Sequence, residues 1–112
     1  MTKKEYSGWY NYETWNAALW LDNDQGSYGY FTEEAQRCYN EASGDDRLYD
    51  ATCRLEGLLE AHFEQEAEEN SPKYGWMADA INSYLGEVNF REIAEHYIED
   101  VDKTEEEEAE EA

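Results

Sequence analysis

Residues 89–101 read NFREIAEHYIEDV, with apolar side chains at Phe90, Ile93, Ala94, Tyr97, Ile98 and Val101. Spacings of three and four residues put all six on one face of an α-helix; a strand would scatter them over both faces. Asn89, with Glu92 three residues later, forms a capping-box start. This stripe is the firmest structural signal in the chain, and it commits the C-terminal part to an amphipathic helix packed on something else.

The rest of the sequence supplies partners of the same kind. Asn11 caps a predicted helix over YETWNAALWLDN, with Tyr12, Trp15 and Leu19 expected on its inner side. The stretch DQGSYGY, with two glycines, is expected to break that helix, and Thr32 to cap a second over EEAQRCYNEA. After SGDD a long third helix runs from about residue 46 to 69. Ser71 followed by Pro72 reads as the cap and first position of a fourth helix, which continues to about Leu85 and is ended by Gly86. No segment alternates as a strand would, and there is no internal repeat. The expectation is an all-α fold, a compact bundle of four to five helices. Residues 1–103 form its single helical domain, and residues 104–112 a disordered acidic tail.

Charge is the second constraint. The 112 residues carry 29 Asp and Glu against eight Lys and Arg, a formal net charge of −21. The last ten residues hold six of the glutamates and one lysine, so the body remains acidic without them. Such a balance favours disorder, but four Trp, ten Tyr and three Phe supply the large buried areas that disordered chains lack. A surface this negative repels anionic lipid and nucleic acid, which leaves basic surfaces as partners.

The acidic residues fall in rows. At 100° per residue, Leu48, Leu55, Leu59 and His62 share one arc of the third helix, with Asp46, Asp50, Glu60, Glu64 and Glu68 opposite. The last helix repeats the pattern: Glu92, Glu95, Glu99 and Asp102 lie opposite the apolar stripe, with Arg91 and Lys103 as the nearby cations. Like charges one turn apart cost a few tenths of a kcal/mol each, and alternating Glu with Lys would have gained as much. A solvated face, adaptation to high salt, or an acidic partner for a basic protein would each account for such rows. They are also what a mimic of nucleic-acid phosphates needs: carboxylates held at fixed spacing on a rigid body, able to enter a basic groove.

Two stretches carry a resemblance. Asn11, Tyr12, Glu13, Thr14, Trp15, Asn16, Leu19, Trp20, Asp22 and Asn23, with Phe90, Glu92, Ile93, Ala94 and Tyr97, form a pattern similar to a family of small, mostly uncharacterised proteins of phage and other mobile elements. The resemblance implies a phage or plasmid gene acting in a bacterial cytoplasm, and it brings no reaction or catalytic residue with it. In composition alone the chain also resembles a phage anti-restriction protein that mimics DNA. Trp9, Tyr10 and Trp20 are less clearly inward than their neighbours and are candidate aromatic anchors for an interface.

Chemistry of other kinds finds little footing. There is no Gly-rich phosphate loop, GxSxG or HExxH. His62 with Glu66 and His96 with Glu99 share helix faces, yet neither histidine follows a glutamate at the spacing of a di-iron bundle. Cys38 and Cys53 lack His or Cys neighbours for zinc and read as free thiols in a reducing compartment. No apolar run reaches the ~18 residues of a membrane span, and the N-terminus lacks the apolar stretch of a signal peptide. The expectation is a non-enzyme without metal or cofactor: an inhibitor that fills the DNA groove of a host defence or DNA-processing complex. Restriction–modification, methylase-based exclusion, CRISPR effectors and uracil-DNA glycosylase are the candidate targets. An acidic adaptor or structural protein that binds a basic partner without displacing DNA is the alternative. A homodimer is also left open.

Overall fold

Leu55 and Leu59, one turn apart and with no exposed surface, fix the inner face of the longest helix. The computed structural model describes residues 6–103, which form α1 (Tyr12–Asn23), α2 (Gln25–Glu41), α3 (Arg47–Asn70), α4 (Trp76–Glu87) and α5 (Phe90–Glu99). The all-α bundle is as expected. Among the described residues the only strand-like pairing is a single antiparallel bridge between Tyr6 and Trp9. The acidic run after Lys103 lies outside the described residues.

Helix α3 packs on both α2 and α5, α2 also meets α1 and α5, and α4 reaches only α1 and α3. The core is built where the first three meet: Phe31, Ala35 and Tyr39 from α2, Ala51, Leu55 and Leu59 from α3, and Ile93 and Ala94 from α5 are all fully buried. Each large side chain among them contributes roughly 1.5–3 kcal/mol by leaving water. The stripe on α5 faces inward as its spacing predicts, with Phe90, Tyr97 and Ile98 also buried.

Three boundaries differ from the sequence reading, each for a local reason. The first helix does end at Asn23 as expected, but the break is Asp24 alone; α2 begins at Gln25 and carries Gly26 and Gly29 within it. Packing overrides propensity here, because Phe31 is buried and Tyr28 lies 6.1 Å from the Tyr97 ring, which holds this end of the helix against α5. Thr32 is therefore not a cap; it sits inside α2 and its hydroxyl donates to the Tyr28 carbonyl at 2.7 Å. Ser71 closes α3, its N–H donating to the Ala67 carbonyl at 2.9 Å, so Pro72 lies in the connection and does not open α4. Gly75 occupies the cap of α4 at φ 94°, a conformation that side chains disfavour. Gly86 lies within α4, which ends one residue later at Glu87.

Helix α1 shows a fourth difference. Its buried residues are Thr14, Ala17, Ala18 and Leu21, while Tyr12 and Leu19 are exposed. Small side chains let α1 approach its neighbours closely. Tyr12 and Trp15 instead join Tyr6 in a surface cluster, with ring centroids 4.8–5.6 Å apart.

A polar knot ties the start of α1 to the start of α5. Asn11 Oδ1 caps α1 by accepting from the Thr14 N–H at 2.9 Å, and its Nδ2 donates to the Glu87 carbonyl at 2.7 Å. Thr14 Oγ1 donates to Asn11 Oδ1 and accepts from the Asn89 N–H at 2.8 Å. Asn89 caps α5 by accepting from the Glu92 N–H at 3.1 Å. The capping box is thus only half made. Thr14 takes the amide that Glu92 would have bound, which frees the Glu92 carboxylate to accept from the Tyr10 N–H at 2.9 Å.

Candidate functional site

The acidic row on α3 is set by what buries the opposite face. Asp46 Oδ1 caps the helix, accepting from the Tyr49 N–H at 3.3 Å. Arg47 pins the first turn to α2, its guanidinium 4.0 Å above the Tyr39 ring and its Nε–H donating to the Tyr39 carbonyl. With Leu55 and Leu59 turned inward, Glu60, Glu64 and Glu68 project outward one turn apart, about 6 Å per step. Leu48, expected on the inner arc, is instead exposed at the edge of a groove shared with α5, and Ala51 and Thr52 take the buried positions of this end of the helix.

The predicted row divides by its partners. Asp46 serves as a cap, and Asp50 pairs with Arg54 at 3.1 Å. Glu60, Glu64 and Glu68 have no hydrogen bond or ion pair with any described residue. They form one wall of a 530 Å³ groove between the second half of α3 and α4. Its other lining includes Ile81 and Leu85 of α4, with Phe90 and Lys73.

The row on α5 is more compensated. Glu92 is engaged by Tyr10, and Asp102 lies past the helix end, where its backbone N–H and carbonyl clasp the Gln36 amide. Glu95 and Glu99 are exposed and share a shallow groove with Asp46 and Lys103. Beside them Arg91 pairs with Glu56 at 3.0 Å and lies over the Tyr49 ring.

All four arginines of the chain are occupied in this way. Arg37 pairs with Glu34 and Glu41, and these contacts raise its already high pKa. Arg47, Arg54 and Arg91 are held by Tyr39, Asp50 and Glu56. None of the four arginines reaches Glu60, Glu64 or Glu68, and Lys73 shares their groove without an ion pair to any of the three.

Of the aromatic candidates, only Trp20 stands well clear of the surface, at 68% exposure. Trp9 is half-buried, stacked 4.1 Å from the His96 ring; Tyr10 is exposed, but its backbone is fixed by Glu92. The sequence reading missed Tyr74 and Trp76, 87% and 76% exposed, and the exposed Met77 beside them. They follow directly from the end of the Glu60–Glu68 ladder. Gly75 was the available signal, since a glycine between two aromatics places the helix start after Ser71–Pro72.

Both histidines pack against aromatic rings. His62 packs edge-on against Phe31 and Phe63, with its Nε2 3.5 Å from Glu66, and His96 lies under Trp9. Burial pushes the Cys38 thiol up from its ordinary value; Cys53 is partly exposed, and both are free. Among the described residues no group of three or more His, Cys, Asp or Glu is placed to hold a metal ion. No helix there is long and apolar enough to cross a membrane. The profile of a family of unknown function (DUF7249) matches residues 2–109. No curated protein and no solved structure matches the chain.

Proposed function

The chain belongs to that family of unknown function, DUF7249, and from its own surface we propose that it is an acidic binding protein that occupies the DNA groove of a basic partner as a mimic of DNA. The observation that carries this reading is the ladder of Glu60, Glu64 and Glu68: three unpaired carboxylates, one turn apart, on a helix whose rotation is fixed by buried leucines. A groove that binds duplex DNA presents Lys and Arg to closely spaced phosphates. A helix-mounted ladder meets such a groove without first having to order itself, and complementary fields speed the encounter. In this reading the protein is phage-encoded and acts in the bacterial cytoplasm. Its target is a host defence or DNA-processing complex such as a restriction–modification, methylase-based exclusion or CRISPR effector assembly. The test is displacement of duplex DNA from such a complex at near-stoichiometric ratio, weakening as salt rises. A target bound equally well at low and high salt, with its DNA still in place, excludes the mimic.

A second reading has its own support. The α3–α4 groove has apolar side chains behind its glutamates, and Tyr74, Trp76 and Met77 stand exposed at the start of α4. That combination suits a basic amphipathic protein segment, as an adaptor without DNA competition would require. Capture of partners on the wild-type chain and on a Trp76→Ala variant distinguishes the two. The adaptor loses its partner with Trp76, whereas the DNA mimic keeps it.

A further inference from the structure

Where α1, α2 and α5 converge, a cleft of 340 Å³ opens that shares no lining residue with the α3–α4 groove. Its floor is apolar, made by the buried Ile93 and Ala18. Its walls are aromatic: Trp9 is braced by its stack on His96, and Tyr28 faces the Tyr97 ring at 6.1 Å. Its rim is acidic, with Asp22 from α1, Glu33 from α2 and Asp100 at the cap that follows α5, and among the described residues no lysine or arginine lines it.

The state of the polar groups narrows what fits. The Tyr97 hydroxyl donates to Asp22 at 3.3 Å, the Thr32 hydroxyl to the Tyr28 carbonyl, and the Gln36 amide is held by the backbone of Asp102. Among the charged groups that line it, the carboxylates of Glu33 and Asp100 have no hydrogen bond or ion pair with any described residue. His96, which also lines the cleft, keeps its ring stacked on Trp9. An anion would be repelled by the three carboxylates of the rim, and a neutral apolar group would cover two of them without pairing them. A cation answers both the rim and the walls, since the faces of Trp and Tyr attract positive charge. A flat, weakly hydrated guanidinium does so better than an ammonium, because it stacks on rings while its N–H groups fork onto carboxylates.

We propose that this cleft receives an arginine side chain of the basic partner, its guanidinium against the Trp9–Tyr28–Tyr97 walls and its N–H groups donating to Glu33 and Asp100. The proposal rests on the reading that the partner is basic, and gives that partner a contact separate from the carboxylate ladder.

The probe is Nα-acetyl-arginine amide, titrated into the full chain and followed by the Trp9 indole and Ile93 amide resonances. Nα-acetyl-citrulline amide, its neutral isostere, and Nα-acetyl-lysine amide serve as comparisons. Saturable shifts confined to this cleft are expected with arginine amide, several-fold weaker ones with lysine amide, and none with citrulline amide. Glu33 and Asp100 are exposed, so the Glu33→Gln/Asp100→Asn variant keeps its fold and should bind arginine amide roughly tenfold more weakly. Equal binding of citrulline or lysine amide, an unchanged affinity in the double variant, or shifts spread over the whole surface overturns the assignment. If arginine binds here and duplex DNA is nevertheless not displaced from any target, the DNA-mimic reading falls and the cleft stands. The reverse pair of results removes the cleft alone.

Discussion

Thr14 has no exposed surface, and its hydroxyl both donates to Asn11 and accepts the Asn89 N–H. Thr14→Val keeps the shape and removes the acceptor, leaving a buried amide unpaired at a cost of about 1–3 kcal/mol. The melting temperature should fall by roughly 4–8 °C per kcal/mol in a domain of this size, while Thr14→Ser loses much less; thermal unfolding by circular dichroism decides. Tyr97 makes a different prediction. Burial raises its hydroxyl well above the usual tyrosine value, and the Asp22 carboxylate adds to the effect. The neutral form is therefore favoured by the fold. Its contribution is complete below the unfolded value of about 10 and is lost as the pH rises beyond it. Urea unfolding should show stability falling above about pH 10, with a shallower fall in Tyr97→Phe. The slope should not vanish, because burial also raises Tyr84.

Gly29 and Gly57 lie inside α2 and α3, and a Cβ added at either meets no atom within 4 Å. Alanine at each should raise stability by roughly 0.5–1 kcal/mol, read as a higher urea midpoint at unchanged slope. Helix α4 has no buried residue, so its amides should exchange hydrogen faster than those of α2, α3 and α5 in native-state exchange. Changing Glu60, Glu64 and Glu68 to Gln relieves repulsion along α3 and should leave stability equal or slightly higher. It should nevertheless weaken target binding by roughly 2–5 kcal/mol if each carboxylate faces a cation in a partly desolvated groove. The stripe of α5 and the inward leucines of α3 were legible in the sequence because burial imposes a period on them. Caps at Asn11 and Asn89 were legible as well, since their chemistry is local. Ser71–Pro72 misled because the same pair fits the end of one helix as well as the start of another. The α2 glycines misled because Phe31 and the Tyr28–Tyr97 contact outweigh propensity. The split of the acidic row was invisible in the sequence: whether Asp50 is compensated depends on the rotamer Arg54 adopts, and whether Glu92 is free depends on Tyr10, 82 positions away.

A net charge of −21 is a property of the molecule as a whole, and self-repulsion on that scale destabilises the compact state. Raising NaCl from about 0.01 M to 0.5 M shortens the screening length from ~30 Å to under ~10 Å and should raise the melting temperature by several degrees. The same salt should weaken binding to a basic target, an opposition that an apolar interface would not show. Two variants of equal net charge separate placement from total: Glu60, Glu64 and Glu68 to Gln, against Glu105, Glu106 and Glu107 to Gln. Equal losses in affinity would mean that only the sum matters, whereas a loss confined to the first supports an ordered ladder. The knot at Thr14 has a consequence in time as well. Asn11 and Thr14 must wait for Glu87 and Asn89, 76 and 75 positions later, before their hydrogen bonds can close. At about 5–20 residues per second on the ribosome, that wait lasts several seconds. During it α1 can meet α2 but not α4 or α5, while the glutamates of α3 are already out and repelling. Strong like charge therefore guards the nascent chain against sticking to its neighbours. A chain halted before residue 89 lacks Ile93 and Ala94 of the core and should show neither cooperative unfolding nor protected amides.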